Sequence, residues 1–152
     1  MGVGYRVFSE MGLLYVRYVG VHNTRMTEQL YQLYNDDPEV TPGLICLQDC
    51  SKITKAQLDV EARRQQMARY RARLKHPDRD WQVLYYCPTK LSHSLTEMQR
   101  MLWHGREGVQ FQMADSPVML ADILRQPLAR IEKLLRCDIR FSAGRPTSLS
   151  AR

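Results

Sequence analysis

The stretch GLICLQDCSKIT, residues 43–54, decides the fold. Leu44, Ile45, Cys46 and Leu47 form an almost unbroken apolar run, bracketed by Pro42-Gly43 before it and by the polar Asp49, Cys50 and Ser51 after it. Such a run is too short for a helix and reads as a strand buried on both faces. It is the candidate for the central strand of an α/β sheet. In open sheets of that kind, ligands and partners dock beyond the carboxyl ends of the strands, so residues 49–54 are the first place to look for function.

On the amino-terminal side, residues 5–8 and 13–19 are two apolar, partly alternating segments joined by a short loop that ends in Gly12. They predict an antiparallel hairpin, with Gly20 ending its second strand. Asn23 and Thr24 are cap residues, and Met26, Leu30, Leu33 and Tyr34 recur at helical spacing up to the Asp37-Pro38 stop. A right-handed crossover then leads into the central strand.

On the carboxyl-terminal side, Ala56, Val60, Met67, Tyr70 and Leu74 lie on one stripe of a helix expected over 55–75. Arg63 shares that stripe, which suggests a helix lying over a sheet edge. Residues 81–87, WQVLYYC, give a second buried strand closed by Pro88. A helix from Thr89 or Ser92, a short strand over 109–113 and helical segments on either side of Pro127 complete the order. Asp115-Ser116-Pro117 marks the start of the first of those segments, with an acidic cap. The fold class is therefore α/β, in the order β-β-α-β-α-β-α-β-α, with a mostly parallel sheet and one antiparallel edge. Residues 1–137 read as one domain and 138–152, rich in Arg, Ser, Gly and Pro, as a disordered tail.

The 152 residues suffice for one core without metal or disulfide staples. With 44% hydrophobic and 25% charged residues, the composition excludes the disordered and fibrous classes. No apolar run approaches the ~18 residues of a membrane span. Arg6, Glu10 and Arg17 interrupt the first twenty residues, so no signal-peptide core is expected. The reading is a cytoplasmic protein with reduced cysteines. Its charge of +6 is compatible with nucleic acid, with an acidic protein partner or with simple solubility.

Several constellations invite chemistry. Asp49, Cys50, Ser51 and Thr54 fall between a strand and the expected helix, where free N–H groups hold an anion or a phosphorylated side chain. Their plain role is to cap that helix at Thr54 and to satisfy a turn. Cys50 and Cys87 should end neighbouring strands, with His22 and His93 close by, which raises zinc or a nucleophilic thiol. No CxxC or HxxxH pair supports this, so buried structural cysteine is the better reading. His104 with Glu107, or His22 with Asp49, would make a base and its orienter. No GxSxG or glycine-rich phosphate loop accompanies them, and neither catalysis nor a cofactor is expected. Arg64, Arg69, Arg71, Arg73 and Lys75 give the long helix a basic face that could track a phosphate backbone.

The element order, with a strand running into LQDCSKIT, resembles the STAS fold of anti-sigma factor antagonists. It is similar in particular to a divergent group of small bacterial STAS-like proteins. The carrying features are the aromatic strand before the GVH turn (15–22), the DDP helix end (36–38), Pro42-Gly43, and Asp49, Ser51 and Thr54 in D-x-S-x-x-T spacing. The resemblance spans residues 5–125. It implies a bacterial, non-enzymatic regulatory domain that works by protein–protein contact, with Asp49, Cys50, Ser51 and Thr54 as its partner surface. Where antagonists carry Asp-Ser-(Ser/Thr)-Gly at the next helix start, this chain has Lys55-Ala56-Gln57-Leu58-Asp59. The hydroxyl that a partner kinase would phosphorylate has no counterpart there, and Ser51 and Thr54 are the substitutes left.

Three rivals stay open. One is nucleic-acid binding through the basic helix, and another is an apolar or lipid ligand held by the aromatic strands. The third is an enzyme whose histidines converge. An apolar surface patch would point first to a homodimer.

Overall fold

A mixed five-stranded sheet in the order β1-β2-β3-β4-β5 carries helices on both faces in the computed structural model, which describes residues 2–104 and 106–139. The elements are β1 (Gly2–Phe8), a 3-10 turn (Ser9–Met11), β2 (Leu13–Asn23), α1 (Thr24–Asn35), β3 (Ile45–Gln57) and α2 (Val60–Leu74). They continue with β4 (Trp81–Tyr86), α3 (Lys90–Trp103), β5 (Val109–Ala114), α4 (Pro117–Leu124) and α5 (Leu128–Leu135). β1 runs antiparallel to β2, and β2 to β5 are mutually parallel. The expected hairpin and alternation are present, and β3 is the central strand.

Local chemistry sets the boundaries. Gly12 adopts φ +60°, a left-handed turn that a residue with a Cβ takes reluctantly, and this reverses the hairpin. Asn23 accepts from the Met26 amide at 2.8 Å to start α1. Thr89 and Ser92 cap α3 reciprocally. Ser116, rather than the acidic Asp115, is the cap of α4, with Pro117 in the first turn.

Strand alternation divides the interior in two. Leu14, Val16 and Tyr18 of β2 face a large core with α1, α2 and α3, built on Leu30, Tyr34, Met67, Tyr70, Val83 and Trp103. Leu13 and Tyr15 face a smaller core with Leu47, Leu84, Leu120, Ile131 and Leu134 under α4 and α5. Leu47 has no exposed surface, as a strand covered on both faces requires. Ile139 also packs into the smaller core, while residues 140–152, which hold the rest of the expected tail, lie outside the described residues.

Two expectations are corrected. β3 does not stop at Asp49 but continues to Gln57, and α2 starts at Val60 rather than Lys55. Asp59, not Thr54, caps α2, accepting from the Ala62 amide at 3.0 Å. Cys50, Ile53 and Ala56 recur three residues apart. In the strand, two register shifts produce that spacing: Arg17 pairs with Asp49 but Val19 with Lys52, and Gly20 with Ile53 but Val21 with Lys55. Each shift inserts one extra residue into β3 and resets its alternation. The second correction concerns Arg63, which is 1% exposed and sits inside the larger core rather than at a sheet edge.

Among the described residues no helix is long and apolar enough to cross a membrane.

Candidate functional site

The extra length of β3 creates the most distinctive surface of the molecule. Pairing between β3 and β4 covers Cys46 to Asp49, whereas pairing with β2 runs on to Gln57. Residues 50–57 therefore overhang, with β2 on one side. Among the described residues no strand pairs with the other side. Cys50 and Ile53 point inward and are buried, while Lys52, Thr54, Lys55 and Gln57 are exposed. A strand edge of this kind offers unpaired backbone N–H and C=O groups to another chain. Both register shifts fall inside it, and bulges commonly sit where pairing ends or where a side chain must be re-aimed.

The four residues read as a partner surface divide across this segment. Asp49 is 1% exposed and faces the smaller core. It accepts from the Tyr15 hydroxyl, from the Ser51 amide at 2.9 Å and from Ser51 Oγ at 2.6 Å, and lies 3.8 Å from Arg17 Nε. Arg17 in turn donates to the Leu135 and Cys137 carbonyls at 2.8 Å, so the cluster ties the end of α5 to the sheet. Burial first, and then the neighbouring Asp49 carboxylate, push the Tyr15 phenol well above its ordinary pKa. Cys50 is buried in the larger core, on the opposite face from Asp49. Ser51 is half-buried and held by Asp49, whereas Thr54 is open to solvent. A turn at the mouth of a helix, as the sequence suggested, is not what these residues form.

The basic residues of α2 are present on the surface but engaged within the chain. Arg64 pairs with Glu61 at 3.2 Å, and Arg69 forks onto Glu28 at 2.6 and 3.0 Å, which holds the Glu28 carboxyl below its usual range. Arg71 donates to the Glu107 carbonyl at 2.7 Å, Arg73 to the Tyr34 carbonyl at 3.2 Å, and Lys75 to the His76 carbonyl at 3.0 Å. Arg69 and Arg73 tie α2 to α1 and Arg71 ties it to the loop before β5, whereas Arg64 and Lys75 are held locally.

The His22–Asp49 base pair does not assemble. Asp49 faces Tyr15 on one side of the sheet, and His22 stacks edge-on against Tyr18, 4.7 Å between centroids, on the other. Burial, reinforced by the Arg63 cation, lowers the His22 pKa to about 3, so its imidazole is neutral. Cys50 and Cys87 follow the paired residues Asp49 and Tyr86, so the expectation that they end neighbouring strands holds for Cys87, while β3 continues past Cys50. Burial raises both thiols, and Cys46 to about 12, which keeps them protonated and poorly nucleophilic. Among the described residues no three His, Cys, Asp or Glu side chains come together as a metal centre.

Two of the surface pockets among the described residues are open clefts. One of about 520 Å³ lies between α1 and α2, rimmed by Glu28, Gln66 and Arg69. The other, of about 350 Å³, lies beside β1 and α5 with Arg6, Arg130 and Lys133 around Phe8, Met11 and Leu134. Compared with known proteins, the chain matches no family model, no curated protein and no solved structure.

Proposed function

We propose that this chain is a STAS-like regulatory module that acts by protein–protein contact rather than by catalysis, and that its contact surface is the open edge of β3 over residues 50–57. The observation that carries the reading is the mismatch in pairing: β4 leaves β3 at Asp49, and β2 accompanies it to Gln57. The resemblance in element order and in the D-x-S-x-x-T segment supports the STAS-like part of the reading. An extended partner segment adds to such an edge through main-chain hydrogen bonds, with alternate side chains giving specificity. Lys52 and Lys55 project from the edge, so the complementary segment is acidic.

Regulation fits the same surface. Of the two hydroxyls, Ser51 Oγ is held by Asp49 and Thr54 is exposed. A phosphate on Thr54 would bring about −2 charges between the two lysines and repel an acidic partner. The intramolecular engagement of Arg64, Arg69, Arg71, Arg73 and Lys75 makes nucleic acid the weaker reading of the basic charge.

A fluorescent peptide of alternating Val and Glu tests the surface, with hydrogen exchange to locate it. Binding should protect the amides of residues 50–57, and the double variant Lys52→Glu/Lys55→Glu should weaken it about tenfold, as loss of two exposed charge pairs implies. Protection confined to other segments, or affinity indifferent to the charge reversal, rejects the proposal. Sedimentation without peptide separates addition of a foreign strand from pairing between two copies.

A further inference from the structure

The cleft beside β1 and α5 gathers side chains that neither the β3 edge nor the two cores use up. Arg6 and Phe8 are two residues apart on β1, so they share the face of the strand that belongs to the smaller core. Arg130, Lys133 and Leu134 follow the i, i+3, i+4 spacing on α5 and share one flank of that helix. Among the described residues no strand lies beyond β1, and α5 forms the facing wall. Phe8 and Met11 are half-buried against the smaller core, and with Leu134 they make an apolar floor.

Three cations and one acid stand around that floor. Glu10 lies 3.7 Å from Arg130, which also donates to Gln126 at 3.0 Å, so this pair is matched within the chain. Arg6 holds its guanidinium carbon 5.2 Å from the centre of the Phe8 ring, and Lys133 is open to solvent. Among the described residues neither has a carboxylate within ion-pairing distance. Three positive charges against one negative leave an excess of two, one from each wall. A single exposed cation is ordinary on a basic surface. Here two of them, from different elements, flank one concave apolar surface of about 350 Å³, near the lower end of the ~300–1,000 Å³ usual for small-ligand sites. A guanidinium stacked on a ring keeps its N–H edge available to an oxygen acceptor.

We propose that this cleft binds a small amphipathic carboxylate, with a short apolar tail on Phe8, Met11 and Leu134 and its head between Arg6 and Lys133. A neutral apolar ligand leaves the two cations unanswered, and a bare inorganic anion leaves the floor wet. Residues 140–152 carry three arginines and no Asp or Glu, so charge selects a foreign ligand over the chain's own tail. β2 separates β1 from β3, which makes this site independent of the proposed contact edge.

Sodium octanoate below its micellar range is the probe. Sodium butanoate shortens the tail, and 1-octanol removes the charge. Each is titrated at constant ionic strength into the nitrogen-15-labelled full chain and followed by amide resonances. Octanoate should saturably shift the amides of residues 6–11 and 130–137. Butanoate should bind at least about tenfold more weakly, as four fewer buried CH₂ groups imply. Octanol, and octanoate with the Arg6→Gln/Lys133→Glu variant, should each bind about tenfold more weakly, as loss of two exposed charge pairs implies. If Arg6→Gln does not fold, Lys133→Glu alone, at an exposed position, should weaken octanoate about fivefold. No saturable shift, shifts confined to other segments, equal affinity for octanol, or undiminished affinity in the charge variant each overturns the proposal.

Discussion

Replacing Asp49 with Ala separates a buried structural carboxylate from an exposed contact residue. Asp49 is 1% exposed, accepts from the Tyr15 hydroxyl and from Ser51, and neighbours the Arg17 guanidinium. Its loss strands a buried phenol and removes the charge opposite Arg17. A hydrogen bond to a charged group contributes about 1.5–3 kcal/mol, and removing one partner of a buried ion pair costs about 3–5 kcal/mol. Arg17 keeps the Leu135 and Cys137 carbonyls as acceptors, which places the expected loss near the lower end, about 3 kcal/mol. For a chain of this size that lowers the midpoint by about 6–12 °C. Urea unfolding measures it directly. In a Tyr15→Phe background the same replacement should cost at least about 1 kcal/mol less, because the stranded phenol is gone. A loss below about 1 kcal/mol in the single variant, or strict additivity with Tyr15→Phe, refutes the reasoning, since surface changes commonly stay within about 0.5 kcal/mol.

His22 titrates at about 3 in the fold against about 6.5 unfolded, so the unfolded chain binds the extra proton and stability is lost as pH falls below 6.5. Between pH 7 and pH 5 the loss from this group is about 2 kcal/mol, and urea unfolding of His22→Gln should lack that part of the slope. A slope unchanged in the variant counts against a neutral buried imidazole. Gly43 has φ +97°, and a Cβ there would meet the Arg79 guanidinium, so Gly43→Ala should destabilise by about 1–2 kcal/mol by thermal unfolding. Full stability in Gly43→Ala would mean that the loop relaxes to a different conformation. Leu47→Ala, at the fully enclosed centre of β3, should cost about 2–5 kcal/mol, and a loss under 1 would deny that this strand is covered on both faces. Thr54→Glu should leave the unfolding midpoint unchanged and weaken the acidic peptide in the polarisation assay, whereas unchanged affinity would remove Thr54 from the contact surface.

Residues with strong local signals were legible from the chain alone. The run Leu44 to Leu47 announced a covered strand, which starts at Ile45; Cys46 and Leu47 are buried in it, while Leu44 and Ile45 stay half-buried. Asn23, Thr89 and the Asp115-Ser116-Pro117 stretch mark helix starts because cap chemistry acts over three residues, although in the last the cap is Ser116 and not the expected Asp115. The alternation of β2 likewise announces its two faces. What adjoins Asp49 was not legible. CSKITKAQ has polar composition and a three-residue apolar spacing, and it is held extended by β2 through two extra residues that only the partner strand reveals. The sequence likewise placed Arg63 on the apolar stripe of α2, but whether a cation on such a stripe ends at a rim or inside depends on α3 and Gln99 closing over it. Local periodicity thus determined the elements and their order. The reach of β3 beyond β4, the burial of Asp49 and the enclosure of Arg63 were decided by tertiary structure, because each depends on which distant segment ends where and leaves which backbone edge or side chain uncovered.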